Sequence, residues 1–292
     1  MSTTFVALAA LCWGLSGGIG GILMSHGWDP LVLSFYRGAI GLLLVLIWLA
    51  LRPRGSGLKR CRVWFWSAVA GLGVSGNFAF YFVSIDQGSV AVAATLMYSA
   101  PVFVYLVSFV LKLERPSAEK WIAITVVMIG IVLLTQIYDI DKSSISTAGI
   151  LSGLLAGISY AIFIFAFKYA APHGSPQAIL SIAFMVLALS LVGLGDANQT
   201  IDALSTGYWP LFISLGLLGG GLSFGLYILG LNYTAPAVAS IMAMVEPVTA
   251  SLFGLVVLQE RLAGSQLVGM GLILVTVTAL SISSRAHRSF YD

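Results

Sequence analysis

The chain has 292 residues, 59% hydrophobic and only 9% charged, with a formal net charge of +3 and a mean hydropathy of +1.00. A soluble domain carries about 25% charged residues, so the soluble globular class is excluded and the chain belongs in a bilayer. Nothing supports a nucleic-acid reading of the small positive excess, which is better used as a topology signal.

Ten continuously apolar stretches follow one another at roughly 4–25, 31–51, 63–84, 90–111, 119–137, 148–170, 176–195, 208–230, 236–258 and 265–284. Each is near the ~20 residues that carry a helix across about 30 Å of hydrocarbon. Barrel strands would be half as long and would alternate in polarity, so the predicted fold is an all-α membrane protein. The first stretch reads as a retained helix and not a signal peptide, because residues 1–4 hold no Lys or Arg. Cys12 and Cys61 have no pairing or ligand spacing, and no disulfide or metal site is expected.

The connections between spans 2 and 3 (Arg52, Arg54, Lys59, Arg60, Arg62), 4 and 5 (Lys112, Arg115, Lys120) and 6 and 7 (Lys168), with the tail (Arg285, Arg288), share one side. They hold eleven of the fourteen basic residues, against Lys142 and Arg261 opposite and Arg37 inside span 2. The positive-inside rule then puts both termini in the cytoplasm.

Residues 88–115 and 234–261 are one segment written twice, 146 positions apart. Gly88-Ser89-Val90-Ala91-Val92-Ala93, Pro101 and Glu114-Arg115 are answered by Thr234-Ala235-Pro236-Ala237-Val238-Ala239, Pro247 and Glu260-Arg261. The register continues upstream through Gly73, Tyr81 and Ile85 to Gly219, Tyr227 and Leu231, and Cys12-Trp13-Gly14 aligns with Ser159-Tyr160-Ala161. The chain is thus two five-helix units, 1–146 and 147–292. An odd number of spans inserts the second unit upside down, about an axis in the membrane plane, which is a carrier architecture.

Trp13-Gly14, Phe35-Tyr36-Arg37, the small-residue run Ala91 to Ala94 before Pro101, Glu114-Arg115 and their echoes resemble the EamA-type repeats of the drug/metabolite transporter superfamily. Within it the chain is most similar to bacterial exporters of aromatic and other amino acids. The resemblance implies ten helices in a bacterial inner membrane and export of small organic metabolites. It also implies a central cavity lined mainly by helices 1, 3, 4, 6, 8 and 9.

Pro101 and Pro247 sit at the midpoints of spans 4 and 9, where each ring should free a carbonyl, that of Met97 or Ala243, and create a hinge. The alternative is a simple bend satisfied by nearby hydroxyls. Glu246 is the one acidic residue deep in a span, its counterpart being Ala100. A charge there costs around 3 kcal/mol on insertion scales and usually faces a cavity or a partner. Its candidate roles are binding a substrate amine, exchanging a proton in coupling, or pairing with Arg37; Arg37 is itself a coupling candidate or a side chain snorkelling to the headgroups. Trp13, Tyr81, Tyr98, Tyr160, Phe163 and Tyr227 are candidate walls of a substrate pocket, the Tyr81 and Tyr227 pair favoured by the repeat. Asn77, Ser99, Ser223 and Ser240 are candidates to orient a carboxylate or amine. Trp48, Trp64, Trp66 and Trp209, near span ends, read as an interfacial belt.

Glycines recur at four-residue spacing as Gly14 with Gly18, Gly17 with Gly21, Gly149 with Gly153 and Gly157, and Gly221 with Gly225, which predicts close helix seams. No Walker motif or ATP-binding domain is present, so transport is expected to be secondary or facilitative and without cofactor. His26, His173 and His287 are isolated, and no second carboxylate joins Glu246 in its span, so an enzyme is not expected. The expected function is alternating-access export of aromatic and other neutral amino acids and related metabolites. Drugs, other metabolites or a channel-like pore are the alternatives. The expected partners are the small-molecule substrate and the lipid bilayer, and a functional monomer is permitted because one chain closes the pathway.

Overall fold

The computed structural model describes residues 2–53, 55–113, 117–140 and 146–289, with side chains described as far as residue 282. Glu114, Arg115, Arg54, Asp141 and Lys142, and the side chains of Arg285, His287 and Arg288, lie outside the described residues. Among those described there is no strand. Nine helices among the described residues are long and apolar enough to span: α1 (Ser2–Ser25), α2 (Pro30–Leu51), α3 (Cys61–Asp86), α4 (Val90–Val110), α5 (Ala118–Thr135), α6 (Thr147–Ala170), α8 (Trp209–Leu231), α9 (Pro236–Val257) and α10 (Gly264–Ile282). The tenth, α7 (Pro176–Leu191), is shorter, and a brief helix, Ala197–Asp202, follows it. The sequence predicts span 7 as far as residue 195; the chain instead turns after Leu191 through Gly193 and Gly195 into Asp196, which caps the brief helix.

Helix starts are written locally. Asp29 accepts from the backbone N–H groups of Leu31 at 2.7 Å and Val32 at 3.0 Å, with Pro30 in the first turn where its missing N–H costs nothing. Ser89, Ser146 and Ser175 cap α4, α6 and α7 in the same way. Buried along their inner stripes, the helices then pack as two inverted units. Helix α1 packs on α8 and α9, and its counterpart α6 packs on α3 and α4; α2 meets α7, and α5 meets α10. Each of these contacts between the halves is matched by another or by itself, as a two-fold axis in the membrane plane requires.

Most of the glycine seams are where the spacing puts them. A Cβ on Gly14 would stand 2.5 Å from the Glu246 carbonyl oxygen and from the Thr249 Cβ of α9. Gly149, Gly153 and Gly157 let α6 approach the end of α3 and the middle of α4. Gly17 and Gly21 differ: a Cβ on either would meet nothing within 4 Å, so this stripe of α1 is no packing seam in this conformation.

Both α4 and α9 are broken at mid-membrane, the first after Met97 and the second after Met242. Pro101 and Pro247 fall in the first turn of the segment that resumes, where a proline sacrifices no helical bond. The chain satisfies its polar groups internally: Tyr98 donates to the Ala94 carbonyl at 2.8 Å, and Ser99 donates through its N–H and its hydroxyl to Leu96. The carbonyl of Ala243, expected to be freed, accepts from the Glu246 N–H at 3.0 Å in a tightened turn, which corrects that expectation. The Met97 carbonyl faces Gly157 of α6.

One irregularity has no counterpart in the first half. Residues Leu217–Leu222 of α8 form a π-helical turn at the run Gly219-Gly220-Gly221, whereas α3 is α-helical throughout. Glycine is a weak helix former, and π turns occur where a wider turn is compensated by an outside contact.

Candidate functional site

A cavity of about 320 Å³ lies between the halves. Its inner end is set by Trp13, Arg37, Asn77, Tyr160 and Glu246, and it runs out along Gly17, Gly20 and Met24 of α1, Ser34, Leu33 and Pro30 of α2, Tyr81 and Phe82 of α3, and Val90 of α4. Trp13 is halfway along the 24-residue α1. Met24 lies eleven positions further along the chain, about 16 Å at 1.5 Å per residue, so the cavity reaches from the membrane centre to the face bearing the α1–α2 and α3–α4 turns. A second space of about 20 Å³ adjoins it, shared by Trp13, Arg37, Asn77, Tyr160, Phe163 and Glu246, and has room for one water.

Each wall follows from helical spacing. Ser34 and Leu33 lie one turn from Arg37; Ser16, Gly17, Gly20 and Met24 continue the face begun by Trp13; Ala250 lies four residues from Glu246. The break in α4 places Tyr98 on the cavity, and the break in α9 places Glu246 there, in the first turn of the resumed helix. Arg37 donates from Nε to the carbonyl of Gly219 at 2.9 Å, in the π-helical turn, and its guanidinium lies 4.9 Å from the centre of the Phe78 ring. A Cβ at residue 219 would collide with the side chains of Arg37 and Ser16, so any larger residue there must displace them. No ion pair within 4.0 Å joins Arg37 to Glu246 among the described residues, although both line both spaces. Asn77 donates to the Ala156 carbonyl at 3.0 Å and so ties α3 to α6. The indole N–H of Trp13 and the hydroxyl of Tyr160, on two residues that line the cavity, are buried with no protein partner.

Of the sequence candidates, Trp13, Asn77, Tyr81, Tyr98, Tyr160, Glu246 and Arg37 are brought together on the main cavity, and Phe163 lines the smaller space. Four others are elsewhere in this conformation. Ser99 returns its hydroxyl to Leu96 and Ser240 to Ala237, each inside its own helix; Ser223 is fully buried, and Tyr227 is fully buried against Trp13 at 5.0 Å. Pro101 and Pro247 shape the breaks and do not line the cavity. Ser16, Ser34, Phe78 and Met97 line it without having been singled out by residue type, though the helical spacing of their neighbours contains them.

Beyond Trp13 the path is shut by aromatic rings. Phe224 lies 5.0 Å from Trp13, 5.2 Å from Phe184 and 5.9 Å from Phe167, with Phe163 6.1 Å from Phe167. Further out on the same side the Lys168 ammonium donates to the carbonyls of Leu231 at 2.6 Å, Asn232 at 3.1 Å and Thr234 at 2.9 Å, fastening the end of α6 to the α8–α9 turn. All three ammonium protons are thereby used.

Two inverted five-helix units around a central cavity, open to one face and sealed to the other, define a multi-pass membrane transporter. The chain belongs to the EamA-like transporter family, which matches residues 2–136 and 147–282. An uncharacterized transporter of Archaeoglobus fulgidus is 32% identical over 269 residues, covering 90% of this chain and 91% of its own. The threonine/homoserine exporter RhtA of Escherichia coli (strain K12) is 26% identical over 274 residues, covering 91% and 88%. A crystal structure superposes with a TM-score of 0.76 over 98% of both chains at 18% identity, a likeness of fold alone.

Proposed function

We propose that this protein exports neutral and aromatic amino acids, with related small metabolites, from the cytoplasm across the inner membrane by alternating access, as one chain. The observation that carries the reading is the cavity itself: mid-membrane, open to one face only, with one cation, one carboxylate and an aromatic wall. Likeness to a relative named as a threonine/homoserine exporter supports the amino-acid class. The basic residues Arg52, Lys59, Arg60, Arg62, Lys112, Lys120 and Lys168 lie on the sealed face, which the positive-inside rule makes cytoplasmic. The structure is then outward-facing, with Lys168 and the aromatic layer as the inner gate. Inverted repeats supply the return, because exchange of the conformations of the two halves yields an inward-facing state.

The test is counterflow in proteoliposomes preloaded with one amino acid, with and without a pH gradient, comparing wild type with Glu246→Gln. Saturable exchange is expected. Gradient-driven accumulation in wild type but not in the variant would assign Glu246 to proton coupling, whereas equal passive exchange would assign it to binding alone. No exchange of any amino acid by demonstrably folded protein would overturn the substrate class.

A further inference from the structure

The two charges on the cavity wall have opposite sign, come from opposite repeats and do not pair. Arg37 is carried by α2 of the first unit and Glu246 by α9 of the second, and the repeat gives Glu246 an alanine, Ala100, as its counterpart. A symmetric duplication would have produced two like sites; this one has acquired a polarity. If the pair served to hold the halves together, contact would be expected, yet no ion pair within 4.0 Å forms.

Arg37 is also fixed in orientation. Its Nε is occupied by the Gly219 carbonyl, offered by the π-helical turn of α8, and its flat face is against Phe78. Its two terminal nitrogens have no protein acceptor among the described residues, which is the arrangement that receives a carboxylate side-on through two hydrogen bonds. Trp13 and Tyr160 line the same cavity, and each carries a buried polar group with no protein partner. Glu246 has no protein cation within 4.0 Å among the described residues and can take only a donor from the ligand, from water or from a neighbouring hydroxyl.

We infer that Arg37 and Glu246 bind the two ends of a zwitterion, Arg37 taking the α-carboxylate and Glu246 the α-ammonium, and that this makes the intact α-amino acid the recognised unit, with its side chain directed into the aromatic part of the cavity. The inference rests on the transport reading and deepens it. A ligand with only an amine leaves Arg37 unpaired, and one with only a carboxylate leaves Glu246 unpaired, so both are rejected by the same principle that penalises any lone buried charge. The small space shared by the two charges admits only a water, so the ligand enters through the larger cavity.

The experiment is competition against exchange of labelled phenylalanine, or of whichever of leucine and threonine exchanges fastest, in proteoliposomes of the full chain. The competitors are the matching amine, lacking the carboxylate, and the matching acid, lacking the amine. Wild type is expected to favour the amino acid over either by roughly tenfold or more. Glu246→Gln should selectively erase discrimination against the acid, and Arg37→Gln discrimination against the amine, with Arg37→Lys retaining part of it. Exchange with equal competition by all three ligands would overturn this inference and leave the transport reading standing; absence of exchange for every amino acid would overturn both. The analogue series on wild type decides the matter even where an Arg37 variant fails to fold.

Discussion

Replacing Lys168 by methionine keeps the length of the side chain and removes its charge, so the variant isolates the clasp on the α8–α9 turn. In this structure Lys168 makes three hydrogen bonds of 2.6, 3.1 and 2.9 Å to the carbonyls of Leu231, Asn232 and Thr234. Hydrogen bonds involving a charged group contribute about 1.5–3 kcal/mol each. Bonds that share one partly buried ammonium do not add in full, and the three together contribute about 2–4 kcal/mol, on the order of one to two such bonds. Opening the inner gate must part α6 from that turn, so the bonds are lost in the inward-facing state and the whole amount bears on the equilibrium. At about 1.4 kcal/mol per factor of ten, Lys168→Met should raise the ratio of inward- to outward-facing protein roughly 30- to 700-fold. Spin labels at Ala171 and Tyr233, on the α6–α7 and α8–α9 turns, would report the change by double electron–electron resonance as a longer distance population. Lys168→Arg should fall between the two, because a planar guanidinium cannot direct three donors to one converging set of carbonyls as an ammonium does. Unchanged distance distributions in Lys168→Met would refute the clasp.

Four further outcomes follow from named contacts. Gly17→Val should fold with an unchanged melting temperature, since its Cβ meets nothing within 4 Å here, but should slow exchange severely by obstructing closure of the cavity that Gly17 lines. Gly14→Val should instead lower the melting temperature or prevent folding, because the Cβ would be 2.5 Å from α9 backbone and side-chain atoms; a normal thermal profile would contradict the packing. Tyr227→Phe removes a buried hydroxyl with no partner and should leave stability and exchange unchanged or slightly improved, the gain being at most about 1–3 kcal/mol, whereas Tyr160→Phe should weaken substrate affinity as measured by half-saturation of exchange. Gly219→Ala should displace Arg37 and mimic Arg37→Gln in competition assays, with Gly193→Ala, a glycine with open space around it, as the silent control.

The span positions, the inversion and the principal cavity residues were legible in the sequence because each has a strong local cause. Apolar length marks the helices, an odd span count inverts the repeat, and a charge at mid-membrane such as Arg37 or Glu246 is too costly to stand without a purpose. The equivalence of Tyr81 and Tyr227 was the step that did not transfer: Tyr81 lines the cavity and Tyr227 is buried behind Trp13. Its physical reason lies five to ten residues upstream. A π-helical turn widens the helix by one residue, and one residue is about 100° of rotation, so Leu217–Leu222 turns the rest of α8 out of register with α3. The run Gly219-Gly220-Gly221 was the available signal, since three weak helix formers mid-span invite an irregular turn. A mid-span proline predicts a free carbonyl, but a break two to four residues before each one lets the helix restart around it, so the Ala243 carbonyl finds the Glu246 N–H.

Departures from two-fold symmetry in this chain fall at points of use. Exact two-fold symmetry would make the inward- and outward-facing states equivalent by rotation and of equal energy, and the binding site indifferent to the direction in which a zwitterion lies. Arg37 and Glu246 remove the second degeneracy, because a cation on one repeat and a carboxylate on the other give the ligand one orientation. Lys168 removes the first: the alignment of Trp13 with Tyr160 sets Gly21 against it in the first repeat, so the outer face has no corresponding ammonium to clasp its α3–α4 turn. An exporter that rests outward-facing must still be drawn inward by cytoplasmic substrate, and a ligand shifts an equilibrium only by its differential affinity for the two states. The clasp energy therefore sets the affinity difference that the substrate must supply. Weakening it through Lys168→Met should lower the cytoplasmic concentration at which export is half-maximal, while leaving discrimination among amino acid, amine and acid, which belongs to Arg37 and Glu246, as it was.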